Sequence, residues 1–294
     1  MSNSTQIQLA GLREETGVGL YELVSKLGNS LHSTIELVRD RVEKKKFAMK
    51  RMDISTESRR LRALLELNVM QRLRSPWAVQ LVDSYIKGSE IAIVMEYCAG
   101  GDLRKCIGSI SDLKLEKRVK VTWEIFAQMV IVLDCMHSQG IWHLDIKPEN
   151  VFMLKEKQTG LKLGDFGVAF DSVLNKDKHP SLFQGTREYF SPERAREENY
   201  DYKADIWALG VIIYEMLSGT HPFYSISSYE MTNNIRNYSG IAGIEKDISA
   251  AKYNYKKNDD DRSNTSDGYD GYLGVYFNDG NFRQRKDQNL NSDK

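Results

Sequence analysis

Apolar and polar positions partly alternate over the first stretch of the chain. Tyr21–Leu27 and Thr34–Val38 are rich in Leu, Val, Ile and Thr and predict two β-strands. The small polar run Gly28–Ser33 turns between them. The charged run Arg41–Lys46 leads into a third strand, Phe47–Met52, with Ala48 and Lys50 expected on opposite faces. A spacing of four then takes over. Leu61, Leu65, Val69 and Leu73 predict an amphipathic helix that also carries Glu66 and stops at Ser75-Pro76. Val79–Ile86 and Ile91–Tyr97 predict a hairpin turning at Lys87–Glu90.

Ala99-Gly100-Gly101 interrupts this pattern and marks a hinge. Beyond it helical periods dominate. Val119, Trp123, Phe126, Val130 and Leu133 predict a long amphipathic helix, and Asp205–Leu217, apolar nearly all round, predicts a helix in the middle of a lobe. Val151–Leu154 and Leu161–Gly164 predict a short hairpin. After about Tyr238 the signal fades. Lys246–Lys294 is polar, with Gly271–Phe277 its one apolar patch, and predicts a tail without a packed fold. The expected class is α+β, a small antiparallel-sheet lobe with one main helix followed by a mainly helical lobe and a cleft between them. The expected divisions are an N-terminal extension at 1–20, the sheet lobe at 21–98, the helical lobe, incomplete at its end, at 99–240 and the tail at 241–294.

Composition narrows the choices. A chain of 294 residues that is 41% hydrophobic can bury a core in one large domain or two lobes. Zero net charge without a basic stripe argues against a nucleic-acid partner. Trp207–Leu217, the longest mostly apolar run, is too short to span a bilayer. Met1–Ala10 lacks the charged-then-apolar order of an export signal. Three cysteines, Cys98, Cys106 and Cys135, predict free thiols in an intracellular setting, cytoplasmic with the nucleus included. Nothing indicates a stable oligomer.

The chemistry is concentrated in His143-Leu144-Asp145-Ile146-Lys147-Pro148-Glu149-Asn150 and, further on, Asp165-Phe166-Gly167. One short loop offers a carboxylate, an amine and a carboxamide; the second run adds a carboxylate. Phosphoryl transfer from a nucleotide needs a group to receive a hydroxyl proton and oxygen ligands for magnesium. Singly, each residue reads equally well as a turn or cap residue; it is their conjunction that points to chemistry. Lys50 follows strand-forming Phe47-Ala48-Met49 and needs a counter-charge if buried, for which Glu66 is the best candidate.

With these motifs the chain resembles the eukaryotic protein kinases, of serine/threonine type, over about Tyr21–Phe223. The resemblance implies the two-lobed protein kinase fold, ATP and Mg2+ as cofactors, and a protein substrate with a Ser or Thr acceptor. It implies a catalytic set of Asp145 as base with Lys147, Lys50, Glu66 and Thr186, and magnesium ligands Asn150 and Asp165. The nucleotide would meet Leu27, Gly28 and Ser30 at the phosphate loop, Ile35 and Ala48 above the adenine and Phe152 below it. Met95 would gate the back pocket, Glu96 and Cys98 would offer backbone groups, Asp102 would reach the ribose, and Lys50 and Asp165 would complete the set. Each apolar member reads equally well as ordinary core. Gly185–Glu193 resembles the segment that holds a peptide substrate, and Asp205 the aspartate that braces the catalytic loop. The runs Ile93–Leu103, Leu163–Gly167 and Asp205–Gly210 are similar to the NIMA-related kinases, and Val168 resembles kinases that favour threonine.

Four departures qualify the match. The phosphate loop has Ser30 and Ser33 where the family pattern has glycine, Ser191 replaces an alanine, and Leu144 replaces the arginine that receives an activation-loop phosphate. No amphipathic helices follow Tyr238, and no arginine there is a convincing partner for Glu193; Arg262 lies in a polar run. Three functions follow as alternatives: an active kinase, a pseudokinase scaffold that binds nucleotide or partners, and an interaction protein working through its tail.

Overall fold

The computed structural model describes residues 13–14, 19–29, 33–155, 159–176 and 178–238. Ser30, Arg262, the patch Gly271–Phe277 and the whole of 241–294 lie outside the described residues.

The first lobe is a six-stranded sheet. Its strands are β1 (Arg13–Glu14), β2 (Tyr21–Asn29), β3 (Ser33–Asp40), β4 (Lys46–Asp53), β5 (Leu81–Lys87) and β6 (Glu90–Glu96), in the order β1-β5-β6-β4-β3-β2. All neighbours are antiparallel except β1, which adds parallel to β5. Two residues of the segment expected to precede the lobe therefore belong to its sheet. Alternation sorts the two faces. Ile91, Ile93 and Met52 join the main core, while Ala92, Val94, Phe47 and Met49 join Val38 and Tyr85 on the other face. The expectation that Ala48 and Lys50 face apart is thereby corrected. Residues two apart on a strand share a face, and Lys50 points to the helix side.

That helix is α1 (Glu57–Arg72), opened by Thr56, whose side chain accepts from the Arg59 amide. The predicted stripe is also corrected. Val69 and Leu73 are buried, but Leu61 is 47% exposed; the buried face is Ala63, Leu64, Glu66, Leu67, Val69 and Met70. A strict four-residue row drifts around a helix of 3.6 residues per turn, so it starts on the solvent side and ends in the core.

The second lobe contains α2 (Leu103–Ser111), α3 (Leu115–His137), α4 (Pro192–Ala195), α5 (Lys203–Ser218) and α6 (Ser228–Arg236). Two short antiparallel ladders join them, β7 (Ile141–Trp142) with β10 (Phe170–Asp171) and β8 (Val151–Met153) with β9 (Leu161–Leu163). The α5 helix is central, as its composition predicts, and α3 packs along it. On α3 the buried face is Ile125, Met129, Val132, Leu133 and Met136, whereas Trp123 is 63% exposed and Val130 also faces solvent. Apolar residues cover most of that helix, so the packing against α5 selects the buried face, not the spacing alone.

The lobes share one core, which holds Met70 and Ile93 together with Leu163, Phe166 and Leu209. Backbone bonds stitch β9 to the segment after α1: Val79 N–H donates to Leu163 O and Leu163 N–H to Trp77 O, both at 2.8 Å. The hinge is fastened likewise, Gly100 N–H donating to Met153 O at 3.0 Å and Met153 N–H to Gly101 O at 2.8 Å. A Cβ on Gly100 would lie 2.5 Å from Met153 O. We expect Gly100→Ala to destabilise the chain by about 1–3 kcal/mol through this overlap. Gly108→Ala, in α2 with open space around it, should be neutral or stabilising by about 1 kcal/mol. Urea denaturation of both variants checks the pair.

Candidate active site

Strand β4, helix α1 and the turn after β9 converge on one ammonium. Lys50 Nζ donates to Glu66 Oε1 at 2.7 Å, Glu66 Oε2 at 2.9 Å and Asp165 Oδ1 at 2.8 Å. Lys50 and Glu66 are buried; the Asp165 side chain is 45% exposed. Burial works against the charge on Lys50, but Glu66 and Asp165 outweigh it and hold the ammonium well above its usual range. Glu66 is pushed up, by burial first and by its neighbour Asp165, against the pull of Lys50. Asp165 also feels burial most, yet Lys50, by charge and hydrogen bond, holds it below the ordinary carboxylate range. The group of three therefore keeps Asp165 ionised where solvent and a cation can reach it.

The loop His143–Asn150 is shaped from below. Leu144 and Asp165 both adopt left-handed backbone, with φ of 63° each, which a branched side chain rarely does. Buried Asp205, near the start of α5, holds the first of these. Its carboxylate accepts from the His143 and Leu144 amides at 2.8 Å each, and lies 2.8 Å from His137 Nε2 at the end of α3. Asp145 then sits in a fixed net. Its Oδ1 accepts from the Thr186 hydroxyl at 2.7 Å; its Oδ2 lies 2.9 Å from Lys147 Nζ and 3.1 Å from Asn150 Nδ2. Lys147 Nζ also donates to Thr186 Oγ1 at 2.8 Å. Asn150 Nδ2 further donates to Asp145 O at 2.8 Å, so its carbonyl oxygen is the atom left for a metal.

These atoms fit magnesium bound to a polyphosphate. Magnesium takes one or two protein oxygens and completes its shell with phosphate and water. Asn150 and Asp165 supply such oxygens, and Lys50 supplies the cation. The other expected contacts are distributed as follows. Leu27 is the extra residue of a β-bulge in β2, next to Gly28, which pairs with Ile35; Ile35 in turn pairs with Lys50. A bulge there re-aims the Leu27 side chain. Ala48 lies between Leu37 and Met95 across the strands. Met95 and Phe152 are half-buried against the main core, and Phe152 bridges to Asp102. The Glu96 amide donates to Gln80 O at 3.1 Å, while Cys98 is half-buried and forms no disulfide among the described residues. The Asp102 carboxylate is engaged locally, capping α2 at the Lys105 amide and pairing with Lys105 Nζ at 2.8 Å.

The substrate segment shows connections that motif reading missed. Arg104 donates to Glu149 Oε1 at 2.7 Å, to Glu215 Oε1 at 3.2 Å and to the Tyr189 hydroxyl, which itself donates to Glu215 at 2.9 Å. Burial, then Glu215, raises the Tyr189 pKa and keeps the phenol protonated. One signal was available: Glu215 is a carboxylate in an otherwise apolar buried helix, and such a group needs a partner. Glu193 is half-buried and forms no ion pair among the described residues. Leu144 is buried in an apolar cluster with Tyr200, Ala204, Trp142, Phe170 and Leu182.

Residues 21–268 match the protein kinase domain family. The chain belongs to it. Among curated relatives it is 32% identical over 218 residues to the serine/threonine-protein kinase Nek3 of Oryza sativa subsp. japonica, covering 73% of this chain and 36% of that one. It is 35% identical over 225 residues to the serine/threonine-protein kinase ULK3 of Homo sapiens, covering 76% and 45%. The chain thus spans between a third and a half of the length of these relatives. It is a eukaryotic Ser/Thr-type protein kinase domain with the two-lobed fold of that family. Among the described residues no helix is long and apolar enough to cross a membrane.

Removing Lys50 should expose the electrostatics of the kinase site. Lys50→Met leaves Glu66 buried without its counter-ion, a loss of about 3–5 kcal/mol at neutral pH. A carboxyl whose folded pKa lies above its unfolded value of 4.5 favours folding at low pH and disfavours it as pH rises through the folded value. The gap in Tm between the variant and the parent should therefore narrow as pH falls from 7.5 towards 5, to be measured by thermal melts without nucleotide.

Proposed function

We propose that this chain is an active protein serine/threonine kinase, transferring the γ-phosphoryl group of ATP to a Ser or Thr hydroxyl of a protein. The observation that carries the reading is the Asp145 net: a carboxylate held by Lys147 and Asn150 of its own loop and by Thr186 of the substrate segment, in a chain that also forms the Lys50–Glu66–Asp165 group. Asp145 would accept the proton of the acceptor hydroxyl. Lys147 would balance charge at the transferred group, and Thr186 would fix the orientation of the base. Lys50 would hold the α- and β-phosphates in place, steadied by Glu66. Magnesium on Asn150 and Asp165 would offset the charge that builds on the phosphate oxygens. The three free cysteines support an intracellular setting. The run Ile93–Leu103 supports a NIMA-related assignment; the similar identity to a ULK3 kinase marks the competing one.

Asp145→Asn keeps the size of the side chain and one acceptor oxygen, turns the other oxygen into a donor and removes the base. Phosphate transfer from magnesium-ATP to a generic Ser/Thr protein should fall by about 10²-fold or more, with the ATP-induced thermal shift retained. Equal rates for parent and variant, with the thermal shift still present, would favour the scaffold function instead.

The Leu144 side chain offers no cation to an activation-loop phosphate, and the neighbouring Arg194 guanidinium is buried and engaged with backbone carbonyls. Phosphorylation at Ser172 or Ser181 should therefore change the transfer rate by less than about tenfold, as measured on stoichiometrically modified protein. A larger rise would refute the phosphate-independent loop.

A further inference from the structure

Lys50 and Arg194 are the two buried Lys or Arg side chains among the described residues. Lys50 has two carboxylates in contact. Arg194, on α4, has none within ion-pair distance among the described residues, although it is only 4% exposed. Its guanidinium spends its hydrogen bonds on backbone. Nη1 donates to Leu144 O at 2.8 Å and Nη2 donates to Gln184 O. The plane lies 3.9 Å from the Phe190 ring centre and 5.0 Å from that of Tyr200. Its Nε has no hydrogen-bond partner among the described residues, and Arg194 lines a small cavity together with Asp145, Thr186 and Asp205.

The two carbonyls belong to different parts of the machinery. Leu144 immediately precedes the candidate base; Gln184 stands two residues before Thr186. Between them Gly185, with φ of 96°, lies so close that a Cβ would sit 2.6 Å from Leu144 O and 3.1 Å from Arg194 Nη2. Only glycine takes that conformation and that approach together. The guanidinium thus bridges the catalytic loop and the substrate segment at the point where the Thr186 hydroxyl meets Asp145. An apolar residue of similar size would fill the same volume without burying a charge, and would join neither carbonyl. A planar fork with five donors suits the bridging task where an aliphatic chain does not.

We propose that Arg194 is a positioning residue for phosphoryl transfer, one that ties Gln184 to Leu144 and so holds Thr186 on the catalytic base without any modification of the loop. The proposal rests on the kinase function argued above.

The test uses Arg194→Met and Arg194→Lys in the full chain. A base and acceptor misplaced by an ångström lose about 10²-fold in rate, so Arg194→Met should lose about that factor in kcat for a protein substrate. Arg194→Lys, able to serve one carbonyl at a time, should lose less. The KM for ATP and the ATP-induced thermal shift should stay at parental values, because Lys50, Glu66 and Asp165 are untouched. The Tm without nucleotide should not fall. Hydrogen exchange of the Gly185 and Thr186 amides should quicken in both variants. Parental kcat in Arg194→Met overturns the proposal. So does a parallel fall of kcat, thermal shift and Tm, which marks a merely structural side chain. If the parent protein transfers no phosphate, the kinase function fails separately, and the exchange alone then decides: unchanged protection at Gly185 and Thr186 removes the tether.

Discussion

An ammonium withdrawn from water is costly by several kcal/mol unless opposite charges surround it with good geometry. Lys50 meets that requirement only when β4, α1 and the turn after β9 stand in one arrangement, because its two carboxylates come from different elements. The same ion group therefore ties the sheet lobe to the helical lobe and defines the cleft. Its burden is unevenly shared. Glu66, fully enclosed, is pushed towards its neutral form, whereas Asp165, half open to solvent, stays ionised. That division suits a pair in which one carboxylate steadies the lysine and the other remains able to hold a cation.

The catalytic loop is governed by a second buried charge. Asp205 takes two backbone N–H groups that no helix or strand could satisfy, and this lets Leu144 keep its left-handed backbone. Asp145 is then held against Lys147, Asn150 and Thr186 in a geometry set in advance. Arg104 and Arg194 continue the same logic outward, the first through side-chain carboxylates and a phenol, the second through carbonyls. In each case a charge or amide that would be unfavourable alone is matched by a partner from a distant part of the chain. The Leu144 side chain adds the complement: it packs in an apolar cluster with Tyr200 and Leu182.

Much of this was legible along the chain. The strands of the first lobe, the hairpin at Gly88-Ser89, the hinge at Gly100 and the buried α5 follow from period, turn residues and composition. Among the motif residues, Lys50, Glu66 and Asp165 form one group and Asp145 and Asn150 another. Faces were less legible. Leu61 and Trp123 satisfy helical spacing and yet face water, the first because a four-residue row drifts around its helix, the second because a helix with many apolar residues offers several stripes and packing chooses among them. Apart from the buried carboxylate of Glu215, the partners of Arg104 and Arg194 carry no local signal, since tertiary packing sets these contacts.

Period and motif are local properties, so the chain read alone specifies strands β2–β6, β8 and β9, helices α1, α3 and α5, and the residue types needed for phosphoryl chemistry. Packing set which helix faces are buried, which carboxylates share Lys50, and the seat of Arg194 between two backbone carbonyls. Those outcomes depend on desolvation and on distances between elements, and neither quantity exists until the chain has closed on itself.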